Sequence, residues 1–166
     1  MAEILIRPAV VEDVAVLARI QTQAWNAAFC DILSPEALAQ ATNLEETQDM
    51  HQFVLEHQLA HVLLLSVDGS PQGFCAWGGN RDNLGEDAAE LICIHSFPQF
   101  WGTGCNSQMM QHVLEAARDA GYTQLILWVF VDNTRARRFY EKHGFHLTSQ
   151  EKETLGAKEV MYTISL

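Results

Sequence analysis

The spacing of apolar residues along the chain switches between the two-residue period of strands and the three-to-four-residue period of helices. Ile4-Leu5-Ile6-Arg7 is a short apolar run closed by Pro8, which predicts an opening strand. From Glu12-Asp13 onward Val14, Leu17, Ala18, Gln21 and Trp25 fall on one stripe, the pattern of an amphipathic helix. Ser34-Pro35-Glu36 reads as an N-cap with proline at the first helical position, and helix is expected again over residues 44–57. The runs 61–67 and 72–77 predict strands joined through Asp68-Gly69-Ser70-Pro71, a hairpin signal. Residues 80–87 (NRDNLGED) form a polar loop.

Residues 89–96 are apolar apart from Glu90, His95 and Ser96, as expected of a central strand. A glycine-bearing loop follows. Then Met109, Met110, Val113, Leu114 and Ala117 mark a helix over about residues 105–120, with Gly121 at its C-terminus. Residues 124–131 (QLILWVFV) predict another buried strand, Asn133 opens a helix ending at Gly144, and strands near 145–151 and 159–165 close the chain. The order βααβββαβαββ is a mixed α/β arrangement, and with 166 residues and no linker-like stretch it predicts one domain over 1–166.

Charge narrows the choice of partner. The chain has 10 Lys and Arg against 21 Asp and Glu, and fourteen of the acids but only three of the bases lie before residue 91. Such a surplus argues against nucleic acid, whose phosphates need a basic face. The bases cluster late, at Arg135, Arg137, Arg138 and Lys142, where an anionic ligand is best sought. The acidic half suits a cationic acceptor such as a polyamine, an aminoglycoside-like amine or a basic peptide N-terminus. No apolar run approaches the roughly 20 residues of a membrane span. The four cysteines form no CxxC pair, so a cytoplasmic chain with reduced thiols and no membrane partner is expected. His51, His57 and His61 lack an HExxH frame, and no metal is expected.

Two segments carry candidate chemistry. The loop Trp101-Gly102-Thr103-Gly104-Cys105-Asn106 lies between a buried strand and a helix start, where unpaired N–H groups and glycines together make a phosphate cradle. A dinucleotide fingerprint fits poorly, because Ser107 stands where its third small residue belongs and Asp132 lies too far along. The second segment is Asn133-Thr134-Arg135-Ala136-Arg137-Arg138-Phe139-Tyr140-Glu141-Lys142-His143-Gly144-Phe145. It meets every specified position of N-x-x-A-x-x-F-Y-x-x-x-G-F, and here the chain resembles the GNAT superfamily of acetyl-CoA-dependent N-acetyltransferases. That family's other signature is Q/R-x-x-G-x-G/A before a long helix. Its first and last positions here are Trp101 and Asn106, and Thr103 replaces a common arginine. A literal match two residues earlier, Gln99 to Gly104, would lengthen the helix, so the later register is preferred.

The resemblance implies a sheet of about seven strands flanked by helices and splayed between the fourth and fifth. It further implies that the CoA diphosphate lies on the amides of Gly102, Thr103, Gly104, Cys105 and Asn106 beside Trp101. Pantetheine would pair with Ile94, His95 and Ser96 and contact Asn133, and Arg137 or Arg138 would neutralise phosphate. The implied reaction is direct attack of a small-molecule or peptide amine on acetyl-CoA, with Tyr140 as acid to the leaving thiol. Glu90, ionisable on an apolar strand, is the candidate base; His95 is its rival and, by strand alternation, points to the opposite face. The alternative is a non-catalytic acyl-CoA-binding module. Trp25, Phe29, Asp31 and Trp77 are candidate acceptor-lining residues, and monomer and homodimer are equally compatible with the sequence.

Overall fold

The computed structural model describes residues 1–166. Seven strands, β1 (Ile4–Pro8), β2 (His61–Val67), β3 (Ser70–Gly79), β4 (Ala88–Ser96), β5 (Gln124–Phe130), β6 (His146–Thr154) and β7 (Ala157–Ser165), form one sheet in the order β1-β2-β3-β4-β5-β7-β6. Every neighbouring pair is antiparallel except β4 and β5, which are parallel. Five helices accompany them: α1 (Val14–Phe29), α2 (Pro35–Ala41), α3 (Leu44–Glu56), α4 (Cys105–Asp119) and α5 (Thr134–Lys142). The mixed α/β class and the seven-stranded sheet are as expected. The helical stretch between β1 and β2 is three helices, and the one expected over 44–57 starts where Asn43 caps it with its side chain on the Glu46 amide at 2.9 Å.

Local chemistry fixes the turns. Asp68 and Gly69 both have positive φ, the two-residue hairpin turn whose twist matches the strands it joins. β3 therefore starts at Ser70, two residues before the expected point. Leu155 and Gly156 repeat the device between β6 and β7. Ser34 accepts from the Ala37 amide at 3.1 Å, the predicted cap of α2.

The two sheet faces bury separate cores. On one, Cys105, Met109, Met110, Val113, Leu114 and Ala117 of α4 pack on Leu63, Leu65, Cys75, Trp77, Ala89 and Leu91. On the other, Leu17 and Ile20 of α1, with Val54 and Leu55 of α3, cover Val62, Leu64, Phe74 and Ala76. Burial of each such side chain is worth about 1.5–3 kcal/mol, so the apolar stripes hold the layers together.

Strand β4 departs from regularity twice, and both departures shape the cavity. Trp77 pairs with Leu91 and Ala76 with Cys93, so Ile92 is the extra residue of a β-bulge. In addition, β4 pairs with β5 only over Ala88–Glu90 against Gln124–Ile126; beyond Glu90 the strands part.

Two histidines lie on the α1 side, His51 buried and His95 half-buried. His51 is 5% exposed, bonded to the Gln21 side chain at 2.8 Å and set edge-on against Phe74. His95 also meets Phe74 edge-on. Burial pushes both imidazoles down to about 4, so the fold keeps them neutral where an unfolded chain would bind protons. Stability is therefore full above about pH 6.5 and declines as pH falls from about 6.5 to about 4. The urea midpoint should fall across that window, and His51→Gln should flatten the slope.

A second expectation concerns Gly73, which pairs with Ser96 at the far end of β4. A Cβ there would lie 2.8 Å from the His95 carbonyl oxygen and 3.3 Å from Ser96 Cβ. Gly73→Ala should cost about 1–3 kcal/mol in a denaturant titration, because the backbone of β4 must yield.

Candidate active site

Gly102 and Gly104 both have positive φ, which no residue inside a right-handed helix adopts, so α4 starts at Cys105 with Gly104 as its cap. This is the later register of the loop. The main-chain N–H groups of Gly102, Gly104, Cys105, Asn106 and Ser107 make no hydrogen bond within the chain. At neither Gly102 nor Gly104 would a Cβ meet anything within 4 Å, so the space over these amides is open. Asn106 Nδ2 donates to Ser96 Oγ at 3.2 Å, tying the helix start to the end of β4. Ser107 Oγ is 3.0 Å from His143 Nε2, tying it to the end of α5.

The segment 133–145 is legible residue by residue. Asn133 Oδ1 accepts from the Ala136 amide at 3.3 Å and starts α5. The helix ends in a Schellman motif: the Gly144 amide reaches Glu141 O and the Phe145 amide reaches Tyr140 O, both at 3.1 Å. Gly144 holds the required φ of +93°, and Phe145 is buried in the core. Tyr140 is 8% exposed, and its hydroxyl makes no hydrogen bond within the chain. Burial raises its pKa above the ordinary phenol, with Cys93 adding to the rise and Arg135 opposing it, so the group stays a protonated donor.

Where β4 and β5 part, a cavity of about 1120 Å³ opens between them. That exceeds the ~300–1,000 Å³ of an ordinary ligand pocket. Its walls bring together Glu90, Ile94, His95, Ser96, Trp101, Gly102, Thr103, Gly104, Asn106, Asn133 and Tyr140. The Cys105 side chain is buried in the α4 core and its amide, the group expected at the site, lies at the loop. One residue expected at the site is placed elsewhere. Arg137 is not on the cavity wall; its Nε donates to Tyr162 Oη at 2.9 Å and its Nη1 to Val131 O at 2.9 Å. Tyr162 in turn donates to Glu141 at 2.6 Å, so this arginine clamps α5 to β7.

Glu90 and His95 share the cavity face rather than opposite faces, because the bulge at Ile92 resets the alternation between them. Glu90 is 1% exposed and held by Arg81, whose Nη2 reaches Oε2 at 2.7 Å while its Nε and main-chain N reach Oε1 at 3.1 Å. Of about four carboxylate acceptor sites, three are filled and one on Oε2 remains. His95 Nε2 accepts from Trp25 Nε1 at 3.2 Å, which fixes the neutral ring with its proton on Nδ1.

The rest of the wall comes from α1, α3, β5 and the last hairpin, including Trp25, Phe29, Met50, Trp128, Phe130 and Lys152. Trp25 and Phe29 thus lie where acceptor-lining residues were expected, whereas Asp31 is not on the wall and Trp77 is core, stacked on His61 at 4.4 Å. Sequence reasoning passed over Arg81 and Trp128, and it named Arg135 only as one of the clustered late bases. On a wheel of 3.6 residues per turn, Arg137 lies nearer the Ala136–Tyr140 face than Arg135, and only packing shows that the Arg135 flank meets the cavity.

The sequence model of the Acetyltransferase (GNAT) family matches residues 25–145. An uncharacterised N-acetyltransferase of Mycobacterium tuberculosis is 28% identical over 147 residues, covering 87% of this chain and 90% of that protein. The thialysine N-epsilon-acetyltransferase of Bos taurus is 33% identical over 124 residues, 68% of this chain and 64% of its own. Among solved structures, the PaiA N-acetyltransferase of Thermoplasma acidophilum in complex with coenzyme A superposes with a TM-score of 0.85 at 16% identity, covering 99% of both chains. An acetyltransferase from Salmonella typhimurium with its cofactor acetyl-CoA gives 0.75 at 20% identity, over 98% of this chain and 93% of that one. These structures share the fold, and the match over residues 25–145 shows that this chain belongs to the acetyltransferase (GNAT) family.

Proposed function

We propose that this protein transfers an acetyl group from acetyl-CoA to a primary amine by direct attack, without an acyl-enzyme. The observation that carries the reading is the meeting of five unpartnered amides, at 102 and 104–107, with an unbonded Tyr140 hydroxyl at one cavity. Amides at a helix start suit a diphosphate, and the open space above Gly102 and Gly104 lets it approach the backbone. The pantetheine arm lies along Ile94, His95 and Ser96, past Asn133, where β4 has no partner strand.

The amine nitrogen forms a bond to the thioester carbonyl carbon, and the carbon–sulfur bond breaks with its electrons going to sulfur. Tyr140 donates its proton to that sulfur, and the newly acylated nitrogen, cationic once its bond has formed, releases its surplus proton through water to restore the Tyr140 hydroxyl. Burial pushes the Cys93 thiol, on the same cavity wall, up to about 12, which shows how strongly this environment opposes a thiolate. Charge on the leaving sulfur is opposed in the same way, and Tyr140, which keeps its proton in this wall, is the donor that meets it. An alkylammonium of pKa ~10.4 must first lose a proton. Through water, Glu90 receives it at the one Oε2 site that Arg81 leaves open.

Tyr140→Phe should lower kcat at least about tenfold while leaving the Kd for acetyl-CoA within about twofold of wild type. Calorimetry for binding and a thiol-release assay over a panel of amines check both halves, and unchanged turnover removes the acid role. Glu90→Gln should depress kcat most at low pH, where amine deprotonation limits the rate; an unaltered pH–rate profile removes the proton-acceptor role. Binding of acetyl-CoA with no turnover on any amine would favour the non-catalytic module.

A further inference from the structure

An acyl-CoA carries several negative charges, yet residues 97–107 (FPQFWGTGCNS), which approach its diphosphate in the reading above, contain no lysine or arginine. Amides alone supply partial charges. The cationic side chains on this part of the wall come instead from α5: Arg135 and Lys142, seven positions apart and so on one helix face with Phe139, all line the cavity. Neither has a carboxylate within 4.0 Å.

Arg135 is set apart by its position. Its guanidinium carbon lies 3.6 Å from the centroid of the Trp101 ring, a cation–π contact across the mouth from α5 to the loop. Stacking occupies the flat face of a guanidinium and leaves its in-plane N–H groups free. Arg135 donates no hydrogen bond within the chain, so all five of these donors are unfilled. Partial desolvation without a counter-charge also depresses its pKa, the signature of a cation short of an anion. Trp101 stands at the loop position where the Q/R-x-x-G-x-G/A signature has glutamine or arginine; here it supports a side chain sent from elsewhere.

We propose that Arg135, held flat on Trp101, takes a phosphate of the acyl-CoA at the rim of the amide cradle, restoring from α5 the positive charge the loop lacks. This assignment rests on the acyl-CoA reading of the cavity, but it can fail while that reading stands.

Calorimetry separates the two. Wild-type protein should bind CoA, and Arg135→Gln should weaken that binding about tenfold or more, with a smaller dependence on salt. The unfolding temperature should hold, since Arg135 is exposed. Trp101→Leu should also weaken binding, and the double variant should lose less than the product of the two single losses, because the ring acts through the guanidinium. Dephospho-CoA identifies the contact: a loss that persists marks the diphosphate, and one that vanishes marks the 3′-phosphate. The assignment is overturned if Arg135→Gln binds CoA within twofold of wild type. It is equally overturned if pantetheine, which has no phosphate, displays the same loss. Wild type that fails to bind CoA overturns the cofactor reading and this assignment together.

Discussion

Everything at the site depends on a hydrogen-bond ladder that stops. Parallel β4 and β5 pair over three residues and then part, leaving main-chain groups of β4 facing a gap instead of a neighbour. Each unmade bond forgoes about 0.5–1.5 kcal/mol, so the separation needs contacts that hold the strands apart. The structure supplies them from outside the ladder. Phe29 of α1 meets Phe130 of β5 edge-on at 5.0 Å, and Trp128 donates to Asp82 of the β3–β4 loop at 2.7 Å. Arg81 of the same loop grips Glu90 at the point where pairing ends. The bulge at Ile92 then turns the parted end of β4 so that His95 and Glu90 face one space.

Charge at the cavity runs against charge in the chain. The sequence is strongly acidic, yet of the acids before residue 91 only Glu90 reaches the wall. The wall's charged groups are Arg81, Arg135, Lys142 and Lys152 against Glu90 and Glu159. Net charge governs solubility and long-range steering, whereas a ligand answers to the few groups it touches. A cationic acceptor drawn from the acidic surplus therefore has little support in the lining, which favours an anionic ligand at the α5 end and an apolar body near Trp25, Phe29 and Trp128.

Much of the fold was legible because its signals are local. The α4 stripe, the Asp-Gly and Leu-Gly turns, the Ser34 cap and the Gly144 terminus each depend on residues within a few positions of one another. The helix expected over 44–57 likewise starts where a local signal, the Asn43 cap, places it. At the site, the loop amides and the 133–145 segment were equally readable, since a helix start leaves its donors unpaired whatever surrounds it.

What the sequence determined by itself was thus the set of elements and the two segments that line the cavity. Tertiary structure alone decided which arginine lines the cavity: Tyr162 from a distant strand holds Arg137, while Arg135 lies on the Trp101 ring. It likewise decided that Glu90 is held by Arg81 and that His95 shares its face. Alternation along an ideal strand predicts opposite faces, and an inserted residue in the ladder, visible only against the neighbouring strand, reverses the outcome.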